Sequence, residues 1–376
     1  MKIYKAENVY DEALKRINWL FDEFSNVVVG FSGGKDSTVV LNLCLKVAEE
    51  RNRLPLTVMF VDQEAEWQHT IDYMKKVMYD PRVNPRWYQM PMKIFNATSA
   101  TENWLQCWDP EQEDKWIHPV EPIAITENVY GTDRFNALFP AISKVEYADS
   151  DMCYIAGMRA DENPKRHAAL VHSRVYKWAT WGKKLDEKRK HYTFYPIYDW
   201  ASSDVWKAIS THDWDFNRIY EQFYAYGVPL RAMRVSNLHH ETAVHSLFHL
   251  QEIEPETWQR MTQRLAGIAT AGKMGKEDFI QRKLPFMFKD WREYRDYLVD
   301  KIIFDPAHQD AFIKRFAKHD EMYEGTLMEK LYQIHVSALL CQDFEMTKLK
   351  NFDMAEGYRH RAAMATMDKD YKHLYS

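Results

Sequence analysis

The chain has 376 residues, more than one average domain, and its 46% hydrophobic and 28% charged residues supply enough apolar material for a large core. A formal net charge of −5 excludes a global electrostatic drive toward nucleic acid or an anionic membrane, leaving only a local basic groove as a route to either. Cys44, Cys107, Cys153 and Cys341 lie far apart with no Cys-x-x-Cys, which rules out a zinc ribbon, offers no disulfide framework and points to a reducing, cytoplasmic setting.

The opening stretch carries charges throughout and reads as neither a signal peptide nor a membrane span. Within it, Leu14, Ile17, Phe21 and Phe24 recur at helical spacing, predicting an amphipathic helix that ends near Ser25-Asn26. "VVVGF" reads as a buried strand, "STVVLNLCLKVAEE" as a helix, "LTVMFVD" as a second buried strand and "EWQHTIDYMKKVMYD" as a helix. "PRWYQMP" reads as a short third strand. This alternation implies parallel βαβ units, hence a Rossmann-like α/β sheet with helices on both faces.

Residues 95–150 are aromatic and read as an irregular insertion lying over the sheet. "DMCYI" resumes the strand pattern before Gly157-Met158-Arg159. "YTFYPIYDWASSDVWKAIS" gives a strand or turn, then a helix from Ser202 or Ser203. Beyond about Leu230 the pattern is helical: Pro255 suits a first turn, "FKDWREYRDYLVDKII" repeats aromatics, and Leu327, Leu331, Ile334 and Ala338 form a stripe. The expected organisation is a nucleotide-binding α/β domain over 1–230 and a helical domain over 231–376.

The chemistry concentrates where the first strand meets its helix, at Ser32-Gly33-Gly34-Lys35-Asp36-Ser37. Unsatisfied N–H groups and the helix dipole favour an anion there, and two glycines let successive amides converge on it. Ser32 and Ser37 add hydroxyl donors, and Lys35 adds a charge suited to terminal phosphates. A Walker A loop is excluded, because Val29 stands where its first glycine belongs and Asp36 follows the lysine. A carboxylate beside phosphates implies an intervening cation, so Asp36 is a candidate Mg²⁺ ligand.

"FSGGKDS" resembles the pyrophosphate loop of the N-type ATP pyrophosphatase superfamily, and "AGMRADENPKRH" and "YPIYDWASSDVW" resemble segments of its phosphoadenosine phosphosulfate (PAPS) reductase and ATP sulfurylase branch. With "DQEAEW" and "GTDRF", the whole chain is similar to IbrA-type PAPS reductase-like proteins of bacteria and phages, often encoded beside a ParB/sulfiredoxin-like partner. The resemblance implies that Ser32, Gly33, Gly34, Lys35, Asp36 and Ser37 hold the β- and γ-phosphates of ATP with Mg²⁺, and that the base lies against Phe60, Val61 and Asp62. Asp62 and Glu64 would then contact ribose or a second metal, or be two solvated loop acids. Gly157 and Arg159 would sit at the carboxyl edge, with Arg159 stabilising the α-phosphate and Arg166 and Lys165 as further candidates. Lys35 and Arg159 would be the catalytic pair. Asp199 and Asp204 match the last motif, and Asp204 reads as a structural support for its helix.

The implied reaction is cleavage of ATP at the α-phosphate, giving AMP or an adenylylated acceptor and releasing pyrophosphate. The alternative is a nucleotide-sensing module without turnover, working with the ParB-like partner. Sulfonucleotide reduction ranks last, since the reductases' C-terminal Glu-Cys-Gly-x-His is missing and Cys341 falls in an apolar helical stripe. Cys107 is expected to be the most accessible thiol and a candidate sulfur carrier. His245 and His249 have helical metal spacing but read as satisfied helix residues, "GKKLDEKRKHY" as a solvated loop or helix end, and Trp104–Trp116 as core packing rather than base-stacking residues.

Overall fold

The computed structural model describes residues 6–96, 104–162, 164–171, 173–230, 247–265, 267–271, 283–323, 327–340, 348–350 and 352–356, with single positions 233, 235, 238, 325, 343, 344 and 346. Helix α1 (Val9–Glu23) is capped by Asn8, whose side chain accepts from the Asp11 N–H at 2.9 Å, and it buries Ile17, Leu20 and Phe21. There follow β1 (Asn26–Gly30), α2 (Lys35–Glu50), β2 (Leu56–Val61), α3 (Gln68–Met78) and β3 (Val83–Tyr88). Strands β4 (Met92–Phe95) and β5 (Trp104–Cys107) pair in a small separate sheet. Next come α4 (Phe135–Glu146), β6 (Met152–Ile155), α5 (Pro164–Val171), β7 (Gly182–Asp186), β8 (His191–Phe194), α6 (Ser202–Thr211) and α7 (Ile219–Ala225). The remaining helices are α8 (Leu247–Ile253), α9 (Pro255–Arg264), α10 (Ile268–Ala271), α11 (Trp291–Ile302), α12 (Pro306–Met322) and α13 (Leu327–Leu340).

The main sheet has the order β3-β2-β1-β6-β8-β7, parallel except for β7, which runs antiparallel to β8. From β1 the chain steps outward through β2 to β3, with α2 and α3 packed on one face of the sheet. Alternate strand residues Val27, Val29, Val58, Phe60, Cys153, Ile155 and Phe194 share a core with apolar residues of α1, α2, α3 and α6. To add β6 on the other side of β1 the chain crosses back, which brings α4 to the opposite face. There Phe139 and Ile142 meet Val28, Met59 and Tyr154 around a cavity of about 250 Å³. Glu146 anchors the end of α4 by accepting from Tyr88 at 2.7 Å and Tyr130 at 2.6 Å and by pairing with Arg86 at 2.5 Å.

The stretch 95–150 is thus more regular than its sequence implied, because it supplies β5 and the helix covering the second face. Trp108 is buried and meets Trp116 edge-on at 5.4 Å, so it packs inside the protein. The basic run 182–192 is a β7–β8 hairpin in which Lys184, Arg189 and Lys190 pair with Glu187, Asp186 and Asp151.

The chain divides into two compact units, one of Met1–Ile94, Trp104–Leu238 and His249–Arg264, the other of Phe95–Asn103, His239–Phe248 and Leu265–Ser376. The second has its own core of Trp291, Leu298, Phe312, Phe316, Val336 and Leu339. On α13 the buried positions are Leu331, His335, Val336, Ala338 and Leu339, so the expected stripe is rotated away from Leu327 and Ile334, which are half-buried.

Candidate functional site

The loop between β1 and α2 turns sharply at Gly33, whose φ of +68° lies in the left-handed region that side chains disfavour. A Cβ there would also stand 2.8 Å from the Thr70 methyl. The loop carbonyls are held inward. Asn217 donates to the Gly33 carbonyl at 3.1 Å, and the Ser37 and Thr38 hydroxyls donate to the Gly34 carbonyl at 2.9 and 3.0 Å. Ser32 Oγ lies 3.2 Å from Ser37 Oγ. The Lys35 N–H donates to the Tyr220 hydroxyl at 3.1 Å, whereas those of Gly33, Gly34, Asp36 and Ser37 have no acceptor among the described residues. Four unspent amide donors at the positive end of a 16-residue helix have the geometry and the partial charge that suit an anion.

Arg159 reaches this loop because Gly157 lets the strand end press on the first turn of α2. A Cβ at Gly157 would lie 2.7 Å from the Asp36 carbonyl carbon and 2.8 Å from the Ser37 nitrogen. Arg159 is 5% exposed, and its Nε donates to Asp36 Oδ1 at 2.5 Å while Lys35 Nζ donates to Asp36 Oδ2 at 2.9 Å. Asp36 therefore holds both cations with one carboxylate. Among the described residues no three His, Cys, Asp or Glu side chains are grouped to hold a metal ion, and both Asp36 oxygens are engaged. A Mg²⁺ ion bound at Asp36 would have to share that carboxylate with Lys35 and Arg159 and draw its other ligands from a substrate's phosphates and water.

The end of β2 is built differently. Phe60 turns into the core against Trp87, and Val61 is buried beside it. Asp62 and Glu64 are fully buried, not solvated. Asp62 accepts from the Glu64 N–H at 2.9 Å, Trp87 Nε1 at 2.9 Å and Gln89 Nε2 at 3.1 Å. His118 Nε2 stands 3.4 Å from Asp62, and although burial disfavours its charged form, that carboxylate outweighs it and raises the imidazole's pKa. Glu64, at φ +65°, accepts from the Trp108 N–H at 2.8 Å and binds Arg264 of α9 through two contacts, at 2.6 and 3.1 Å. Burial, then the Asp62 charge, hold the Glu66 carboxyl well above the usual carboxylate range. Glu254 braces the same loop by accepting from the Gln68 N–H at 2.7 Å and the His69 N–H at 3.0 Å.

The structure thus gathers Ser32–Ser37, Gly157 and Arg159 at one point and commits Phe60, Asp62 and Glu64 to internal partners. Arg166 pairs with Glu162, whose other oxygen accepts from the Arg159 N–H at 3.0 Å. Asp199 binds Arg16 through two 2.7 Å contacts, and Asp204 accepts from the Ala201 N–H at 2.7 Å at the start of α6. Cys107 is a correction: it is fully buried, its thiol donates to the Gln63 carbonyl at 3.3 Å, and burial followed by the Glu64 charge pushes its pKa well up. Cys44 and Cys153 are buried too. Cys341, His245 and the Lys165 side chain lie outside the described residues, and His249 is half-buried on α8. Sequence reasoning missed Asn217, Tyr220 and Arg264, which reach the site from more than 180 residues away along the chain and belong to no spacing pattern.

Residues 26–226 match the phosphoadenosine phosphosulfate reductase domain, slightly over half of the chain. The chain belongs to that family. Residues 227–370 match a second family, a domain of unknown function, DUF3440. The chain is 29% identical over 324 residues to the protein YbdN of Escherichia coli K12, covering 80% of this chain and 78% of that protein. It is 21% identical over 223 residues to an adenosine 5'-phosphosulfate reductase of Lysinibacillus sphaericus, covering 59% of this chain and 79% of the reductase. It is 23% identical over 210 residues to sulfate adenylyltransferase subunit 2 of Streptomyces lavendulae, covering 53% and 57%. No helix among the described residues is long and apolar enough to cross a membrane.

Proposed function

We propose that the chain is an enzyme that cleaves ATP at the α-phosphate and passes the adenylyl group to an acceptor, releasing pyrophosphate. The observation that carries this reading is the row of unspent N–H groups at Gly33, Gly34, Asp36 and Ser37, with Lys35 and Arg159 beside it. Such a row suits several phosphate oxygens at once. In the reaction, the bond from the α-phosphorus to the bridging oxygen breaks and negative charge develops on the departing pyrophosphate. The fixed amides and the Lys35 ammonium stabilise that charge without reorganising, and Arg159 serves the α-phosphate. Magnesium enters as part of the nucleotide substrate. A relative named as a sulfate adenylyltransferase subunit supports adenylyl transfer as the reaction class.

A second reading, nucleotide binding without turnover in company with a ParB/sulfiredoxin-like partner, is favoured by one observation: Asp36 engages both Lys35 and Arg159. Incubation of the purified protein with ATP and Mg²⁺, followed by nucleotide separation, tests both. AMP with pyrophosphate supports the enzyme, ADP with phosphate overturns it, and binding without products selects the second reading. Sulfite release from a sulfonucleotide would point instead to reduction, for which the described cysteines, all buried, offer no accessible nucleophile.

A further inference from the structure

We infer that Tyr220 is a direct contact of the anion taken by the β1–α2 loop, donating its phenolic proton to it. The inference rests on reading that loop as a polyphosphate site. Tyr220 stands on α7, whose lead-in residue Asn217 is fully buried and bridges the Gly33 carbonyl and the Thr70 hydroxyl at 3.1 and 2.9 Å. The ring is wedged edge-on against Trp206 at 5.2 Å, and the Lys35 ammonium sits 5.9 Å from its centroid. The side chain is therefore fixed, and it is only 5% exposed.

Its oxygen accepts the Lys35 N–H at 3.1 Å, which leaves the hydroxyl one proton to give. Among the described residues no acceptor takes that proton. Burial raises the phenol's pKa, so the proton stays on at neutral pH. The oxygen is also aimed at the loop: a Cβ placed on Gly34 would lie 3.6 Å from it. A buried donor with no partner is costly, and an anion cradled by the neighbouring amides is the partner the geometry provides. The ligand chemistry is a pyrophosphate unit, free or within a nucleoside triphosphate.

The test is calorimetry on the full chain with inorganic pyrophosphate, ATP and adenosine in turn. Tyr220→Phe keeps the ring and removes the hydroxyl. The expected result is about tenfold weaker binding of the ligands carrying pyrophosphate, with adenosine affinity unchanged. Pyrophosphate and ATP affinities within twofold of the wild type would overturn the inference and leave the loop reading intact. A wild-type chain that binds neither sinks both. If pyrophosphate binds but ATP does not, the contact stands and the nucleotide source fails. A second variant separates donating from merely bracing Lys35, and serves if the phenylalanine chain does not fold. Difluorotyrosine at 220 keeps the accepting oxygen but is a stronger acid than tyrosine in the same buried place, so as the pH rises pyrophosphate affinity should fall earlier in that protein than in the wild type. Parallel pH profiles would reduce Tyr220 to a brace.

Discussion

At the residue scale the loop is a contest between one carboxylate and an incoming anion for two cations. Lys35 and Arg159 both point at Asp36, and phosphate must displace that carboxylate or share its partners. Asp36→Asn should therefore bind pyrophosphate more tightly than wild type without magnesium, by about tenfold, and an unchanged or weaker affinity would show that Asp36 does not compete. Lys35→Ala should weaken ATP binding or turnover at least tenfold, about 1.4 kcal/mol, and equal affinity and rate in a folded variant would remove the lysine from the site. The loop itself was legible, because Gly-Gly flanked by serines at a strand-to-helix junction has few other physical uses. Its partners were not. Arg159 could be placed near the loop only through a family motif, and nothing in the sequence announces that Gly157 admits it by leaving out a Cβ. Cys107 misled because polar and aromatic neighbours in "WLQCWDP" suggest a surface, whereas the fold draws it under the β2 edge.

At the element scale, the strands and helices around the loop follow their hydrophobic periods. β1 and β2 are apolar on both faces because helices cover both. The hidden element was α4: Pro140 inside Phe135–Glu146 reads as a breaker, and the surrounding aromatics gave no helical period. The helix forms nonetheless, closing the sheet's second face and ending on the Glu146 anchor. Helix α9 was foreseen from Pro255, but its role as a clasp was not. Arg264 and Glu64 are 3% and 0% exposed at the side chain, so removing one strands a charge in a dry interior. Arg264→Met should cost about 3–5 kcal/mol in denaturant unfolding, and Arg264→Met with Glu64→Met should recover most of it. Additive losses would mean that the pair is not coupled.

At the scale of the whole molecule, the second unit carries its own pH dependence. His335 sits against His319 at 2.8 Å, and burial, assisted by Arg295, pushes its pKa from 6.5 down to about 2. A depressed imidazole contributes stability that is full above about pH 6.5 and drains away as the pH falls, because the unfolded chain takes up the proton first. By pH 5 the loss from His335 amounts to about 2 kcal/mol, and His335→Gln should shrink the acid loss, leaving the part due to His319, whose pKa burial also lowers. Equal melting-temperature shifts between pH 7 and 5 in wild type and variant would exonerate the histidine. The two family matches meet at 226/227, yet Glu254 and Arg264, beyond that border, brace the β2–α3 loop of the first unit. Recombination at the border with a continuation that lacked the arginine would orphan the acid at position 64 and undermine the first half from within. Such an exchange would hold where the incoming stretch brought its own arginine to that place, or where residue 64 changed along with it.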